Sequence, residues 1–140
     1  MEEKIFNKNL SVDKVKQMNA QILAFVGDAV HSLYVRERLV LENVCKINKL
    51  QQQMSLRVKA KAQSETLEIV WDSLSDDEKD IARRARNTHT NNIAKNSSMV
   101  EYKRSTAFEA VLGFLYLTGN VEKLTSLLKI NFDGFVGDEK

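Results

Sequence analysis

The sequence has no proline, a single cysteine and only five glycines among 140 residues. Without proline, no position forfeits its backbone donor. With glycine confined to positions 27, 113, 119, 134 and 137, long stretches are left free to coil into helices. The lone Cys45 excludes an intrachain disulfide and any zinc site built on several cysteines; it reads as a small residue near a helix start. The longest wholly apolar run, Ile22 to Val26, is far too short to cross a bilayer. The first ten residues, "MEEKIFNKNL", lack the charged-then-apolar order of a secretory leader. The expectation is a soluble cytoplasmic protein with no membrane partner, forming one domain over residues 1–140 with its core in about 17–129.

What is present is charge, unevenly placed. The net charge is only +2, but residues 46–61 carry five basic and no acidic groups, and residues 62–78 carry six acidic and no basic ones. Residues 79–104 then carry seven basic groups against two acidic. One such segment is explained as readily by a solvated helix face as by a binding surface. Two in one small domain point towards a polyanion.

Apolar residues at Ile22, Leu23, Phe25, Val26, Ala29, Val30, Leu33, Tyr34 and Leu39 recur at helical spacing. They predict a long helix from Met18 to about Leu41, apolar round most of its circumference and running through the centre of the fold. A second helix is predicted over 47–60 on Ile47, Leu50, Met54 and Val58, and a third through Leu67, Ile69, Val70 and Trp71. Ser75 with Glu78, and Ser98 with Glu101, have the spacing of capping boxes and open two more helices. The second of these stops at Gly119, and Asn120 caps a last helix through Leu124 and Leu128. Residues 87–96, "NTHTNNIAKN", show no period and read as a polar loop. The expected architecture is all-α, six or seven helices with no sheet.

Two acids interrupt the apolar pattern. Asp28 lies within "ILAFVGDAV", and Glu109 within "STAFEAVLGFLYL". A buried carboxylate without a partner costs several kcal/mol, so each must be neutralised, solvated or bound to something. Gly113, four residues after Glu109, and Ala24, four before Asp28, remove bulk from the same faces and are expected to leave room beside the carboxylates. Two such acids on two central helices can converge on a hard cation such as Mg²⁺, which takes one or two carboxylates and keeps several waters. A structural ion pair explains the same spacing equally well, and the residues alone leave both readings open.

The two segments resemble known signatures. "LAFVGDAV" is similar to the LEFLGDAV-type helix of the ribonuclease III family, and "STAFEAVLGFLYL" resembles that family's second signature, DTFEALIGALYL. Their order and separation also fit. "YVRERLV", "RVKAKAQSETL", "RARNTHT" and "YKRSTAFEA" look like Mini-ribonuclease III, the compact bacterial branch, and the resemblance spans roughly residues 17 to 129. With little chain after the second signature, the double-stranded-RNA-binding domain of ordinary members is expected to be lacking. Asp28 matches the signature aspartate and Glu109 the second-signature glutamate. Ordinary members carry further acids where this chain has Ala24 and Thr106, absences typical of the Mini branch.

The resemblance implies a metal-dependent endoribonuclease that cleaves double-stranded RNA as a homodimer, with Asp28 and Glu109 as catalytic residues holding Mg²⁺, or Mn²⁺ in its place. The expected substrate is the stem flanking precursor large-subunit (23S) ribosomal RNA, with a ribosomal protein as a possible presenter. Lys59, Lys61, Arg83, Arg84, Arg86, Asn87, Lys95, Lys103 and Arg104 are the candidates for the RNA-binding surface. Any sequence preference is expected from the loop 87–97. His31, one turn beyond Asp28, reads as a packing histidine before a general base, and His89 ranks with its loop neighbours. Two other readings stand beside the enzyme: an inactive ribonuclease III fold that only binds RNA or a ribosomal surface, and a helical adaptor with solvated charges. The adaptor leaves both acids unexplained.

Overall fold

The computed structural model describes residues 9–43, 46–88 and 98–134. Among them are seven α-helices and no strand: α1 (Val12–Lys16), α2 (Ala20–Leu41), α3 (Ile47–Val58), α4 (Ala60–Val70), α5 (Asp76–Arg86), α6 (Met99–Leu117) and α7 (Val121–Gly134). A short 3-10 turn, Trp71–Ser73, follows α4. The all-helical expectation holds. No helix among the described residues is long and apolar enough to cross a membrane.

Local signals account for most of the boundaries. Both capping boxes form: Ser75 Oγ accepts from Glu78 N–H at 3.1 Å, and Ser98 Oγ from Glu101 N–H at 3.1 Å, while each glutamate reaches back to its cap. Gly119, at φ +77°, ends α6. There the Asn120 N–H reaches Leu115 O and the Gly119 N–H reaches Tyr116 O, the paired bonds of a Schellman turn. Helix α1 was not expected; it spans five residues, too few to show a period, and rests on the Ser11 cap and one buried residue, Val15. The α3–α4 break at Lys59, in extended conformation at ψ 155°, carries no proline or glycine to announce it.

The central helix is α6, not α2. From Ala107 to Leu115 every α6 residue except Glu109 is buried, and α1, α2, α4, α5 and α7 all pack on it. Helix α2 buries one stripe, including Leu23, Ala24, Gly27, His31, Val35 and Leu39. Its other apolar residues stay outside: Ile22 is 56 % exposed, Phe25 80 % and Leu33 57 %. A second, smaller core joins the C-terminal half of α2 to α3 and α7 around Phe132. The guanidinium carbons of Arg38 and Arg57 lie 4.2 and 3.9 Å from the centre of that ring. Arg57 belongs to the first basic segment by sequence, yet it is buried, its Nε donating to Phe132 O at 3.1 Å and its Nη1 to Gln53 O at 3.0 Å.

Candidate active site

The site is made where α2 and α6 touch backbone to backbone. A Cβ on Gly27 would overlap the Glu109 carbonyl and come within 2.9 Å of Gly113 N; one on Gly113 would overlap the Leu23 carbonyl. The two glycines therefore set the helix separation. Gly113 was expected to leave space for the carboxylate, but it is occupied by the α2 backbone instead. This contact places Asp28, next to Gly27, beside Glu109, one turn before Gly113.

The two acids are not equivalent. Asp28 stands at the margin of the buried stripe of α2 and is exposed, which corrects the expectation of two buried acids; Glu109 is half-buried. Burial pushes the Glu109 carboxyl up to about 9, with hydrogen bonding to Asp28 and the Asp28 charge adding to the rise. Gln63 opposes it, its Nε2 donating to Glu109 Oε2 at 3.4 Å. Neighbouring carboxylates of this kind share a proton unless a cation replaces it. Hard oxygen donors, one face open to solvent and a carboxyl that has no counter-charge beside it fit Mg²⁺ with several retained waters. No cluster of three or more His, Cys, Asp or Glu joins them among the described residues. At the two positions where further acids are lacking, Ala24 is buried in the core and Thr106 turns its hydroxyl to the Tyr102 carbonyl at 3.0 Å.

His31 is fully buried, with Nε2 2.7 Å from Asn131 Oδ1 and Nδ1 2.8 Å from Gln63 Nε2. Both ring nitrogens are engaged, so it packs and does not serve as a solvent-facing base. Gln63 lies within the family-like segment "RVKAKAQSETL" but was not singled out there, and Asn131 lies in no motif. The signal that could have found them is the one that exposed Asp28 and Glu109, a polar residue on an apolar stripe: Gln63 with Leu67 and Val70, Asn131 with Leu124 and Leu127.

The basic candidates divide. Arg83, Arg86 and Arg104 line a cleft of about 260 Å³ between α4, α5 and α6, with Trp71, Glu68 and Asp72. Arg83 lies 5.5 Å from the Trp71 ring, and Arg104 pairs with Glu68 at 3.8 Å. Asp28 and Glu109 do not line this cleft. Asn87 is exposed and caps the C-terminus of α5, and Lys103 is half-buried. Lys59 and Lys61 are exposed at the opposite end of α4, the end that carries Gln63. Arg84 leaves the RNA-binding set: its guanidinium donates to Lys16 O at 2.7 Å and Met18 O at 3.2 Å, tying α5 to the end of α1. Lys95, His89, Cys45 and most of the loop 87–97 lie outside the described residues.

Residues 21–120 match the ribonuclease III domain family. The chain belongs to that family. It is 41 % identical over 122 residues to a Mini-ribonuclease 3 of Thermoanaerobacter sp. (strain X514), covering 87 % of this chain and 86 % of that protein. It is 43 % identical over 116 residues to the Mini-ribonuclease 3 of Streptococcus pneumoniae, covering 81 % and 91 %. A crystal structure of a Fusobacterium nucleatum protein superposes with a TM-score of 0.77 at 30 % identity, covering 84 % of this chain and 94 % of the other. Within the family the chain falls in the Mini-ribonuclease 3 branch, and it is a ribonuclease III-type endoribonuclease.

Proposed function

We propose that Asp28 and Glu109 form the Mg²⁺-dependent centre of this endoribonuclease, that its substrate is double-stranded RNA, and that a homodimer presents one centre per subunit. The observation that carries the reading is the meeting of the two carboxyls across the Gly27–Gly113 crossing. Asp28 and Glu109 would hold the ion, directly or through its waters; Mn²⁺ is expected to substitute. A bound divalent ion supplies an activated water and offsets charge on the phosphate oxygens in an in-line displacement. The chain's part is positional. Asp28, exposed, and Glu109, half-buried beside it, would be the two carboxylates that hold such an ion.

The exposed apolar residues of α2, Ile22, Phe25 and Leu33, fit the dimer contact. Arg83, Arg86 and Arg104 around their cleft, with Lys59 and Lys61 at the end of α4 that carries Gln63, are suited to phosphate contacts along an A-form duplex. Lys103 and Asn87 lie on the same elements, and Lys95 and the loop 87–97 stay in the proposal as sources of sequence preference. The physiological substrate proposed is the stem flanking precursor 23S ribosomal RNA in the cytoplasm, with a large-subunit ribosomal protein as presenter. The test is cleavage of a long RNA duplex in Mg²⁺ or EDTA by wild type, Asp28→Asn and Glu109→Gln. Loss of cleavage by orders of magnitude with duplex binding retained is expected. Unimpaired cleavage by either variant would end the assignment. Duplex binding without cleavage by the wild type in Mg²⁺ or Mn²⁺ would mark an inactive binding module.

A further inference from the structure

Gln63, His31 and Asn131 come from α4, α2 and α7 and meet in the interior behind Glu109, with 2 %, 0 % and 0 % of their surfaces exposed. Buried polar groups of this kind must be satisfied, and here the satisfaction has a direction. It can be followed from the far end.

The Arg57 carbonyl only accepts, so the Asn131 group 3.3 Å from it is the amide nitrogen. That nitrogen also donates to Thr66 Oγ1 at 3.2 Å, whose own hydrogen goes to the Ala62 carbonyl at 2.9 Å. Asn131 Oδ1 therefore faces His31 Nε2 at 2.7 Å, and Nε2 must carry the imidazole hydrogen. Burial favours the neutral ring, pulling the His31 pKa down, and a neutral ring protonated at Nε2 has a bare Nδ1. Nδ1 accepts from Gln63 Nε2 at 2.8 Å, which leaves the second hydrogen of that nitrogen for Glu109 Oε2 at 3.4 Å. Turning either amide over would set acceptor against acceptor or donor against donor.

We infer that Gln63 is a positioning residue for Glu109, and that His31 and Asn131 dictate which face of the Gln63 amide the glutamate meets. The inference rests on the reading of Glu109 as a metal ligand. One carboxylate oxygen meets an N–H whose direction is set three hydrogen bonds away by a backbone carbonyl in the last turn of α3. The donor offered to the carboxyl that faces Asp28 is thereby oriented by bonds that lie within the protein. At 3.4 Å the Gln63–Glu109 contact is long, and hydrogen bonds to a carboxylate are in general shorter and stronger than those to a neutral acceptor. Partners of this kind typically change metal affinity or turnover about 10–100-fold when removed.

The test uses the full chain with Gln63→Met, Asn131→Leu and, as control, Glu109→Gln. Three quantities are read: kcat and KM on a long duplex, the Mg²⁺ concentration at half-maximal rate, and the Mg²⁺ dependence of Tm without RNA. Gln63→Met is expected to raise the Mg²⁺ requirement and lower kcat about 10-fold or more, with KM for the duplex within about twofold and the Tm response moved to higher Mg²⁺. Asn131→Leu is expected to move the same quantities in the same direction. The imidazole ¹⁵N spectrum of the wild type, which needs no variant, is expected to show His31 neutral with its hydrogen on Nε2. A hydrogen on Nδ1 would overturn the relay. So would wild-type kcat and Mg²⁺ dependence in Gln63→Met while Glu109→Gln is inactive. A Glu109→Gln variant that cuts normally would instead overturn the reading of Glu109 itself.

Discussion

Replacing Glu109 by glutamine without metal is expected to stabilise the protein. The Glu109 carboxyl has a reference value of 4.5 and rises to about 9 in the fold, chiefly through burial and then Asp28. At pH 7 the unfolded chain has therefore lost this proton and the folded chain has kept it. Each unit of difference is worth about 1.4 kcal/mol, so the mismatch at pH 7 costs up to about 3 kcal/mol. The raised folded value fixes the sign: relative to a neutral residue, wild-type stability is complete below pH 4.5 and is lost as pH rises towards 9. Glutamine has no proton to gain or lose; it keeps an N–H for Asp28 and an oxygen for Gln63. In EDTA, urea denaturation should show Glu109→Gln equal to wild type near pH 4.5 and more stable by up to about 3 kcal/mol at pH 7, up to about 10 °C in Tm. Added Mg²⁺ should reverse the order, since only the wild type gains from binding. A structural ion pair predicts the opposite, a loss of about 3–5 kcal/mol at pH 7 whether or not metal is present. A destabilised Glu109→Gln variant that still cut RNA would refute the reasoning.

Gly27→Ala should cost about 3 kcal/mol or more in urea denaturation and abolish cleavage, because its Cβ meets the Glu109 backbone and not a movable side chain; normal stability and activity would show that the crossing does not set the acid pair. Phe25→Asp, on the exposed face of α2, should turn the expected dimer into a monomer by sedimentation at micromolar concentration, and an unchanged dimer would place the interface elsewhere. Arg83→Ala and Arg86→Ala should each weaken duplex binding and reduce its salt slope by about 1, whereas Arg84→Ala should lower Tm through loss of its bonds to Lys16 and Met18, leaving the slope unchanged.

The elements of this fold that depend on neighbours in sequence were legible in advance. The two capping boxes, the Gly119 stop and the apolar periods of α2 to α7 act within a turn or two, so the all-helical architecture follows from the residues themselves. The two acids were legible for the same reason, since a carboxylate on an apolar stripe is visible without a partner. Distance along the chain hid the rest. Whether Asp28 lies inside or at the surface depends on which face of α2 meets α6, and apolar residues on nearly every side of α2 give no preference. That α2 approaches so closely is decided by Gly27 meeting Gly113, an event that neither helix announces alone. Arg57 and Arg84 look like any other basic residue until α7 and α1 bring carbonyls to them. The relay behind Glu109 is the extreme case, because its bonds join residues 100 positions apart between His31 and Asn131 and 32 apart between Gln63 and His31. A hydrogen bond acts over about 3 Å of space, and only the packed helices determine which polar side chains come that near.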